Sequence, residues 1–276
     1  MPDGITFFEG SVTNKDLVHA ASKNVEAIIH LAARGSVPRS LLNPVMTQKV
    51  NVEGTLNVLE VAREKKLQVI FSSSSSVYGG NTILPKHEEL VLKPLTPYAA
   101  SKLAGEALMM AYGKSYGLCV TNFRFFNVFG PWQRPDHIYS AVIPKWIWQA
   151  MNNETLQVYG DGEQSRDFTS VMFVQEVILK SLKERVDHPE PINLALGQKI
   201  TLNQVLMELR KYFPNLEVQY SDVRSGDVYA SQNCPDLLHR IFPNIAVETF
   251  QDTLGKTVQW LREEGKKIIG GPGIND

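Results

Sequence analysis

An α/β fold with a doubly wound parallel sheet is predicted by the distribution of apolar residues. The runs at residues 27–33 and 69–71 are apolar without polar alternation, as expected for strands that are covered on both faces. Stretches with helical spacing of apolar residues separate these runs, and parallel strands require such crossovers. Beyond Pro131, charged and aromatic residues are interspersed with turn signals, so we expect a smaller, less regular α/β lobe there.

The individual elements follow from the same patterns. Strands are expected at residues 5–8, 27–33, 69–71 and 118–124. Helices are expected at residues 14–22, from near 44 to 62, from 97 onward, and at 141–151, 174–183, 202–212 and 249–264. Pro97 suits the first turn of its helix because the N–H that proline lacks would be unpaired there.

The composition excludes several classes of protein. The chain of 276 residues is 43% hydrophobic and 21% charged, which suits one or two compact domains. A net charge of -1 gives no electrostatic case for binding nucleic acid. Cys119 and Cys234 form no metal-ligand cluster or disulfide framework, so we expect a cytoplasmic protein without a metal. No apolar run reaches the roughly 18 residues of a membrane span, and the first residues do not read as a signal peptide.

Tyr98 and Lys102 form a candidate site for proton transfer. Side chains four residues apart share a helix face, so the ammonium group can lie beside the phenol ring and favour its ionised form, a base. Upstream, the serines from Ser72 to Ser76 follow the strand at residues 69–71, where open α/β sheets place chemistry. A serine hydroxyl there would complete a site for oxidising a carbinol. Taken alone, the Tyr and Lys spacing is a weak signal, because it usually means an ordinary half-exposed helix face.

A series of short motifs carries a family resemblance. In chain order they are His30-Leu-Ala-Ala, Asn51-Val-Glu-Gly-Thr, Ser72-Ser-Ser, Val77-Tyr-Gly, Tyr98-Ala-Ala-Ser-Lys, Arg124-Phe-Phe-Asn-Val-Phe-Gly-Pro, Tyr159-Gly-Asp-Gly-Glu-Gln-Ser-Arg-Asp-Phe and Arg224-Ser-Gly-Asp-Val. From about Phe7 to the last helix, the chain resembles the extended short-chain dehydrogenase/reductases, and more narrowly the NAD-dependent nucleotide-sugar 4-epimerases. The resemblance implies a Rossmann-like sheet with a smaller substrate-binding lobe, NAD as cofactor, a UDP-sugar substrate and a homodimer.

The same resemblance implies roles for single residues. Catalytic roles fall on Ser74, Tyr98 and Lys102, and contacts with the cofactor on Ala32, Asn51, Tyr98 and Lys102. Contacts with the substrate fall on Gly35, Ser36, Ser74, Ser75, Asn127, Gln133, Arg166, Arg224, Asp227 and Ser231. Arginine suits a diphosphate because its planar guanidinium can hydrogen-bond a phosphate through two nitrogens. Ser72, Ser73 and Ser76 are expected to be structural, capping strand ends or turns.

Comparison within the family also separates the reactions. Related sugar dehydratases carry an Asp-Glu pair just before Val77, and related decarboxylases usually carry a Glu at the second position. Here Ser75 and Ser76 stand in those places, so both reactions lack their acid and base. Epimerisation at C4 through a 4-keto sugar needs only the Tyr, the Ser and the cofactor. The small Ser231 at a gatekeeper position favours an N-acetylated sugar.

The sequence departs from the family pattern at its start. It contains no Gly-rich G-x-x-G-x-x-G turn for the NAD pyrophosphate, so the sheet is expected to be N-terminally incomplete by about 50–60 residues. Ser11 replaces a usual adenine-binding Asp, and Ser170 begins a stretch that lacks another usual Asp. The chain is therefore expected to be either an incomplete form of a working epimerase or a catalytically silent homologue that binds a nucleotide sugar or a partner.

Domain boundaries and assembly complete the expectations. Residues 1–130 with about 167–185 are expected to form the dinucleotide-binding domain, and 131–166 with about 186–276 the nucleotide-sugar-binding lobe. Related enzymes dimerise through the two helices that begin near Pro44 and Pro97. Apolar side chains of the second helix could supply contacts, or could pack on their own sheet instead; they are Leu103, Leu108, Met109 and Tyr112.

Overall fold

The computed structural model describes residues 4–136, 140–223 and 229–265, which fall into two compact units. The first unit comprises Met1–Thr82, Glu88–Phe125 and Ile178–Asn193, and the second comprises Ile83–His87, Phe126–Val177 and Leu194–Asp276. Compared with the expected domains, residues 167–177 lie in the second unit and residues 186–193 in the first. The assignment of a dinucleotide-binding and a sugar-binding role to the units stays a prediction.

The helices and strands are numbered in chain order. The helices are α1 (Lys15–Ala21), α2 (Val37–Leu42), α3 (Pro44–Gln48), α4 (Gly54–Lys65), α5 (Pro97–Tyr116), α6 (Val142–Met151), α7 (Val171–Lys183), α8 (Leu202–Arg210), α9 (Asp236–Ile241) and α10 (Phe250–Trp260). The strands are β1 (Ala27–His30), β2 (Gln68–Ser74), β3 (Val120–Phe125), β4 (Val128–Phe129), β5 (Leu156–Tyr159), β6 (Ser165–Arg166), β7 (Thr169–Ser170), β8 (His188–Leu194), β9 (Ile200–Thr201) and β10 (Val218–Ser221). None of these helices is both long and apolar enough to cross a membrane.

A four-stranded sheet in the order β1-β2-β3-β8 forms the centre of the first unit. β1 pairs in parallel with β2, and β2 in parallel with β3, which confirms the predicted α/β fold with a parallel sheet. Val69 and Phe71 pack in a core cluster with side chains of α4 and α5. The alternating residue Gln68 instead donates to the carbonyl of Ser181 on α7. Helices therefore cover both faces, as the continuous apolar strands require.

The strand expected at residues 5–8 is wrong. Residues 5–9 adopt no regular structure, and Ile5 and Phe7 are exposed. In the described part of the chain β1 pairs only with β2, so this segment has no strand to bond with. A strand is stable only when its N–H and C=O groups are paired, and apolar character alone does not provide a partner.

Local capping explains where the helices of the first unit begin. Asn14 and Asn43 are N-caps whose side chains accept a hydrogen bond from the backbone N–H three residues on. α5 begins in the same way, since Thr96 Oγ1 accepts from Ala99 N at 3.2 Å and Pro97 occupies the first turn. It ends at Gly117, whose φ of 62° is the left-handed conformation that glycine adopts readily. The starts expected near Pro44 and Pro97 are confirmed.

The second unit contains short two-stranded sheets around an aromatic core. β5 pairs in parallel with β10, β4 in parallel with β7, and β6 antiparallel with β9. The rings of Phe129, Phe168 and Phe250 lie within 6 Å of one another, with centroids 5.2 to 5.9 Å apart. Trp146 is buried in the same core, and Trp132 stacks against Trp260 at 5.6 Å. This arrangement fits the less regular lobe that the sequence indicates.

Candidate active site

The serine run forms the carboxyl end of β2 and the turn that follows. Ser72 to Ser74 continue the strand, and Ser74 is extended, with φ and ψ of -150° and 144°. Its Oγ accepts a hydrogen bond from Ser76 N at 3.2 Å and so starts the 3-10 turn Ser75–Tyr78. Gly79 ends the turn at a φ of 42°, and a Cβ there would collide with the carbonyl of Lys93. Ser74 thus stands at a fixed position at the end of a buried strand.

Tyr98 meets this strand end from the first turn of α5. Its side chain is a neighbour of the Ser74 hydroxyl and interacts with it, so the structure brings these two predicted catalytic residues together. Burial raises the pKa of the Tyr98 phenol, and the Ser74 hydrogen bond lowers it by a smaller amount. In the protein alone the phenol is therefore held protonated at neutral pH.

Lys102 is held at the end of β2. Its Nζ donates to the carbonyl oxygen of Ser72 at 2.7 Å and lies 5.0 Å from the ring centroid of Phe71. An effect of its ammonium group on the pKa of Tyr98 stays a prediction. The side chain is buried, and burial lowers the pKa of Lys102 to about 8 because the charged form is desolvated. Helical spacing places the two residues on one face, but the strand carbonyl is the nearer acceptor.

The loop after β1 is tied to α5 through Asn51. Its Oδ1 accepts from Arg34 N at 2.7 Å, and its Nδ2 donates to Ser101 Oγ at 2.8 Å, one residue before Lys102. The same loop contains the predicted ligand residues Ala32 and Gly35, which are both exposed, and Ser36. Ser36 is the N-cap of α2 and accepts from Arg39 N at 3.2 Å.

The sequence did not single out the most deeply buried charges of the first unit. Arg124 on β3 and Glu106 on α5 form an ion pair of 2.8 Å whose side chains are 3% and 1% exposed. One signal was available: Glu106 follows Tyr98 and Lys102 at helical spacing and so shares their face. The burial of Arg124 had no such signal, because it depends on a partner 18 residues away.

Predicted substrate residues of the second unit lie around β6 and β7. Asn127 Nδ2 donates to the carbonyl of Asp167 at 3.5 Å, and Gln133 Nε2 to that of Val128 at 3.3 Å. Arg166, on β6, donates to the carbonyl of Ser165, which also accepts from Ser231 N at 3.0 Å. Asn127, Arg166 and Ser231 are thus joined through a few backbone bonds. Arg224 and Asp227 lie outside the described residues.

Asp167, next to Arg166, is a buried carboxylate. Its Oδ2 accepts from the backbone N–H groups of Gly197 and Asn233 at 2.9 and 3.0 Å. Burial raises the pKa of Asp167 to about 6, and these backbone hydrogen bonds only partly offset it. Ser170, where the family usually has a nearby Asp, accepts from Met172 N at 3.2 Å and caps α7. In the described ranges no group of three His, Cys, Asp or Glu side chains could hold a metal.

A parallel α/β sheet whose strand end carries an interacting Ser–Tyr pair beside a buried lysine is the arrangement of the short-chain dehydrogenase/reductase class. Comparison with known proteins agrees. A sequence profile described as the NAD dependent epimerase/dehydratase family matches residues 1–195. The chain belongs to this family.

Relatives of different activities lie at similar distances. The chain is 34% identical over 272 residues to a UDP-glucuronate 4-epimerase of Thermodesulfobacterium geofontis, covering 95% of this chain and 80% of the relative. It is 30% identical over 268 residues to a UDP-N-acetyl-alpha-D-glucosaminuronate decarboxylase of Bacillus cytotoxicus, covering 92% and 82%. A solved UDP-N-acetylglucosamine 4-epimerase from Methanobrevibacter ruminantium M1, in complex with UDP-N-acetylmuramic acid, superposes with a TM-score of 0.90 at 34% identity, covering 95% and 84%.

The cofactor of this family is NAD, and donors at the strand ends fit its nicotinamide ribose. Arg34 Nε is buried without a hydrogen-bond partner in the described part of the chain. Lys102 Nζ carries three donor protons and has one protein acceptor there, the Ser72 carbonyl. Both groups are suited to ribose hydroxyl and amide oxygens. The sequence contains no Gly-rich turn of the usual form to bind the pyrophosphate.

Proposed function

We propose that this chain catalyses NAD-dependent epimerisation at C4 of a UDP-sugar, of the UDP-N-acetylglucosamine or UDP-glucose type, through a transient 4-keto sugar. The observation that carries the proposal is that Ser74 and Tyr98 interact at a strand end where Ser75 and Ser76 follow in place of carboxylates. This set can move a proton to and from a sugar hydroxyl. It has no carboxylic acid at those positions to expel water or to assist loss of carbon dioxide.

The residues divide the work of carbinol oxidation. Tyr98 accepts the proton of the C4 hydroxyl and returns it when the sugar is reduced again. Ser74 holds the C4 oxygen and stabilises the phenolate by donating a hydrogen bond to it. Lys102 binds the cofactor ribose and stays anchored to the Ser72 carbonyl. When bound, NAD would accept and return the hydride, and its positive charge would favour the phenolate that burial disfavours.

Glu106, a buried carboxylate near β2, does not substitute for a catalytic acid. Glu106 is held in two hydrogen bonds by the Arg124 guanidinium, at 2.9 and 2.8 Å, and accepts another from Ser73. A carboxylate held in this way has no free edge toward a substrate. Decarboxylation remains the second candidate because of the Bacillus cytotoxicus relative.

Three observations support an N-acetylated or uronic sugar. Ser231 is small, Arg166 lies beside it, and the relatives named above act on UDP-glucuronate or bind UDP-N-acetylmuramic acid. A small side chain leaves volume for an N-acetyl group, and a guanidinium can pair with a diphosphate or a carboxylate. The diphosphate role of Arg166 is part of this proposal.

The test is product analysis with matched substrates. The purified chain is incubated with NAD and, separately, UDP-N-acetylglucosamine, UDP-glucose and UDP-glucuronate, and the anomeric proton signals are followed by NMR. A C4 epimer is expected from at least one sugar. Tyr98→Phe should lower the rate at least about 100-fold, because general base catalysis is lost. Tyr116→Phe, at an exposed site on the same helix, should leave the rate unchanged.

Each other product identifies a different function. Carbon dioxide released from UDP-glucuronate without any epimer would make the chain a decarboxylase. If calorimetry shows that a UDP-sugar binds while no product forms with any sugar, the chain is a silent nucleotide-sugar binder. Either result overturns the epimerase proposal.

We also propose that the chain is a cytoplasmic homodimer. α2 and α3 expose a row of apolar side chains, the α2–α3 patch: Leu41, Leu42, Val45 and Met46. α3 is fixed to the start of α5 because Gln48 Nε2 donates to the Pro97 carbonyl at 3.0 Å. On α5, Met109 and Tyr112 are buried in the core of their own unit. The contacts between subunits are therefore assigned to the α2–α3 patch instead of these two side chains.

A further inference from the structure

One face of α5 contacts the end of β2 at three successive points. Tyr98, Lys102 and Glu106 are spaced by four residues, so their side chains lie above one another along the helix. Tyr98 interacts with Ser74. Lys102 donates a hydrogen bond to the Ser72 carbonyl, and Glu106 accepts one from the Ser73 hydroxyl. The contact of Tyr98 with Ser74 is the catalytic one of the three, and the other two hold α5 against β2.

Arg124 holds the third of these contacts in place. It is the register partner of Ser73 on the neighbouring strand, and its Nε and Nη2 bind both oxygens of Glu106. Its Nη1 reaches in another direction and donates to the Tyr78 hydroxyl at 2.8 Å. Tyr78 in turn donates to Asn193 Oδ1 at 2.7 Å. One guanidinium therefore connects α5, the turn Ser75–Tyr78 and β8, and Ser74 lies directly before that turn.

Stability alone is a poor reason for this arrangement. Taking both charges out of water costs free energy that their attraction only partly returns, and apolar pairs of similar volume are often as stable. The planar guanidinium, by contrast, fixes distance and angle to each partner at the same time. The pair therefore fixes the positions of Ser73 and Tyr78, which lie on the two sides of Ser74.

We propose that Glu106 and Arg124 are positioning residues that hold the Ser74 hydroxyl within hydrogen-bond distance of the Tyr98 phenol. The inference rests on the proposed function for its catalytic consequence. Neither side chain touches substrate or cofactor, since both are almost fully buried. They act through Ser73 and Tyr78, which flank Ser74 on the strand and in the turn.

The test measures the Ser74–Tyr98 bond directly. The protein is labelled with tyrosine carrying 13C at Cζ, Tyr98→Phe assigns the signal, and the signal is followed from pH 7 to 12 by NMR. Ser74→Ala shows how Tyr98 titrates without the Ser74 hydroxyl, and we expect this titration to shift to higher pH. The double variant Glu106→Leu, Arg124→Met removes the pair without leaving a single buried charge. It should unfold near the wild-type temperature, while Tyr98 titrates as in Ser74→Ala.

Kinetics give a second readout. For the double variant we expect kcat to fall by about 100-fold, as for small misplacements of reacting groups, while KM changes little. Arg124→Lys keeps the charge but loses the planar fork, so it should shift both readouts in the same direction by a smaller amount. It also serves as the test variant if the double variant does not fold. Lys114→Met, which removes an exposed ion pair of α5 with Glu190, should change neither readout.

Two outcomes overturn the inference. A folded double variant with the wild-type Tyr98 titration and wild-type kcat would show that the pair is structural only. An Arg124→Lys protein identical to wild type in both readouts would show the same. If no UDP-sugar is turned over by the wild type, the proposed function fails, yet the NMR titration still tests the positioning role.

Discussion

Burial, more than neighbouring charge, shifts the pKa values of the buried side chains around the site of the first unit. It lowers the pKa of His30 to about 4, with a smaller effect from the Lys102 charge, and that of Lys102 to about 8. It also raises the pKa of Tyr98. His30 is therefore neutral at pH 7, where its Nε2 is hydrogen-bonded with Thr55 Oγ1 at 2.9 Å. Lys102 therefore gives the site of the first unit a positive charge that begins to be lost near neutral pH.

Asp167 should make the second unit less stable as the pH rises. Its folded pKa of about 6 lies above its ordinary 3.8, so the folded state holds the proton more tightly than the unfolded chain. The stabilisation is complete below about pH 4 and is lost as the pH rises to about 6, a difference of about 2–3 kcal/mol. We expect the free energy of unfolding of the wild type, relative to Asp167→Asn, to fall by this amount between pH 4 and 7.

Urea unfolding at four pH values within that window measures the difference. Other titrating groups, His30 included, are common to both proteins and cancel in the comparison. A constant difference from pH 4 to 7 would contradict the assigned pKa.

Residues of the site differ in how far the sequence reveals them. Tyr98 and Ser74 were found because a helix period and a strand end are local signals, and the structure joins the two side chains. The acceptor of Lys102 was missed because a backbone carbonyl of another element leaves no trace in residue type. The Glu106–Arg124 pair was missed for a similar reason, since burial of a charge follows from its partner and not from its own position.

α5 approaches the sheet closely because Gly105 has no side chain. A Cβ at this position would lie 2.5 Å from the Cζ of Phe71, and the helix continues on both sides of the glycine. Lys102 and Glu106 make their contacts with β2 at this spacing. The glycine therefore serves contact between elements, although glycine weakens a helix relative to alanine.

Gly105→Ala is expected to destabilise the protein despite its better helix propensity. Overpacking against Phe71 costs about 1–3 kcal/mol, more than the roughly 1 kcal/mol that alanine gains within a helix. Thermal unfolding measures the change, and the Tyr98 titration should also move toward that of Ser74→Ala as the helix is pushed outward. Ser115→Ala, at an exposed position of α5, is the matched control and should be neutral or slightly stabilising. A Gly105→Ala protein as stable as wild type would show that Phe71 can turn away.

Helices and strands also differ in predictability. Helix starts at Pro44 and Pro97 were predicted because proline and the capping residue before it act locally. One continuous helix was expected from near Pro44 to residue 62. In the structure, Lys49–Glu53 forms a π-helical turn between α3 and α4. The extra residue in that turn depends on tertiary packing, so no local pattern indicates it.

The protein as a whole was predictable as an α/β fold with a second, less regular lobe. The exact division was not, because residues 83–87 of the long loop and 126–177 join the second unit through contacts that composition does not report. The sequence analysis did not predict the edge strand β8, which pairs with β3 in the sheet. Among apolar residues, sequence alone did not separate those of the core from those of the α2–α3 patch.

Association should depend on the α2–α3 patch. Val45 is 78% exposed, and Val45→Lys places a charge in the centre of the patch. We expect the wild type to sediment as a dimer at micromolar concentration and Val45→Lys as a monomer, because burying an unpaired charge in an apolar interface is costly. Leu179→Lys, at an exposed leucine of α7, should leave the dimer intact. A monomeric wild type at that concentration would discard the dimer.

The placement of the tryptophans gives the protein a built-in optical reporter. All four, Trp132, Trp146, Trp148 and Trp260, belong to the second unit, and the first unit has only tyrosine as its main fluorophore. Emission excited at long ultraviolet wavelengths therefore follows the unfolding of the second unit alone. The 13C signal of Tyr98 follows the first. Loss of structure in the two units can consequently be timed separately in one unlabelled and one labelled sample, without attaching any dye.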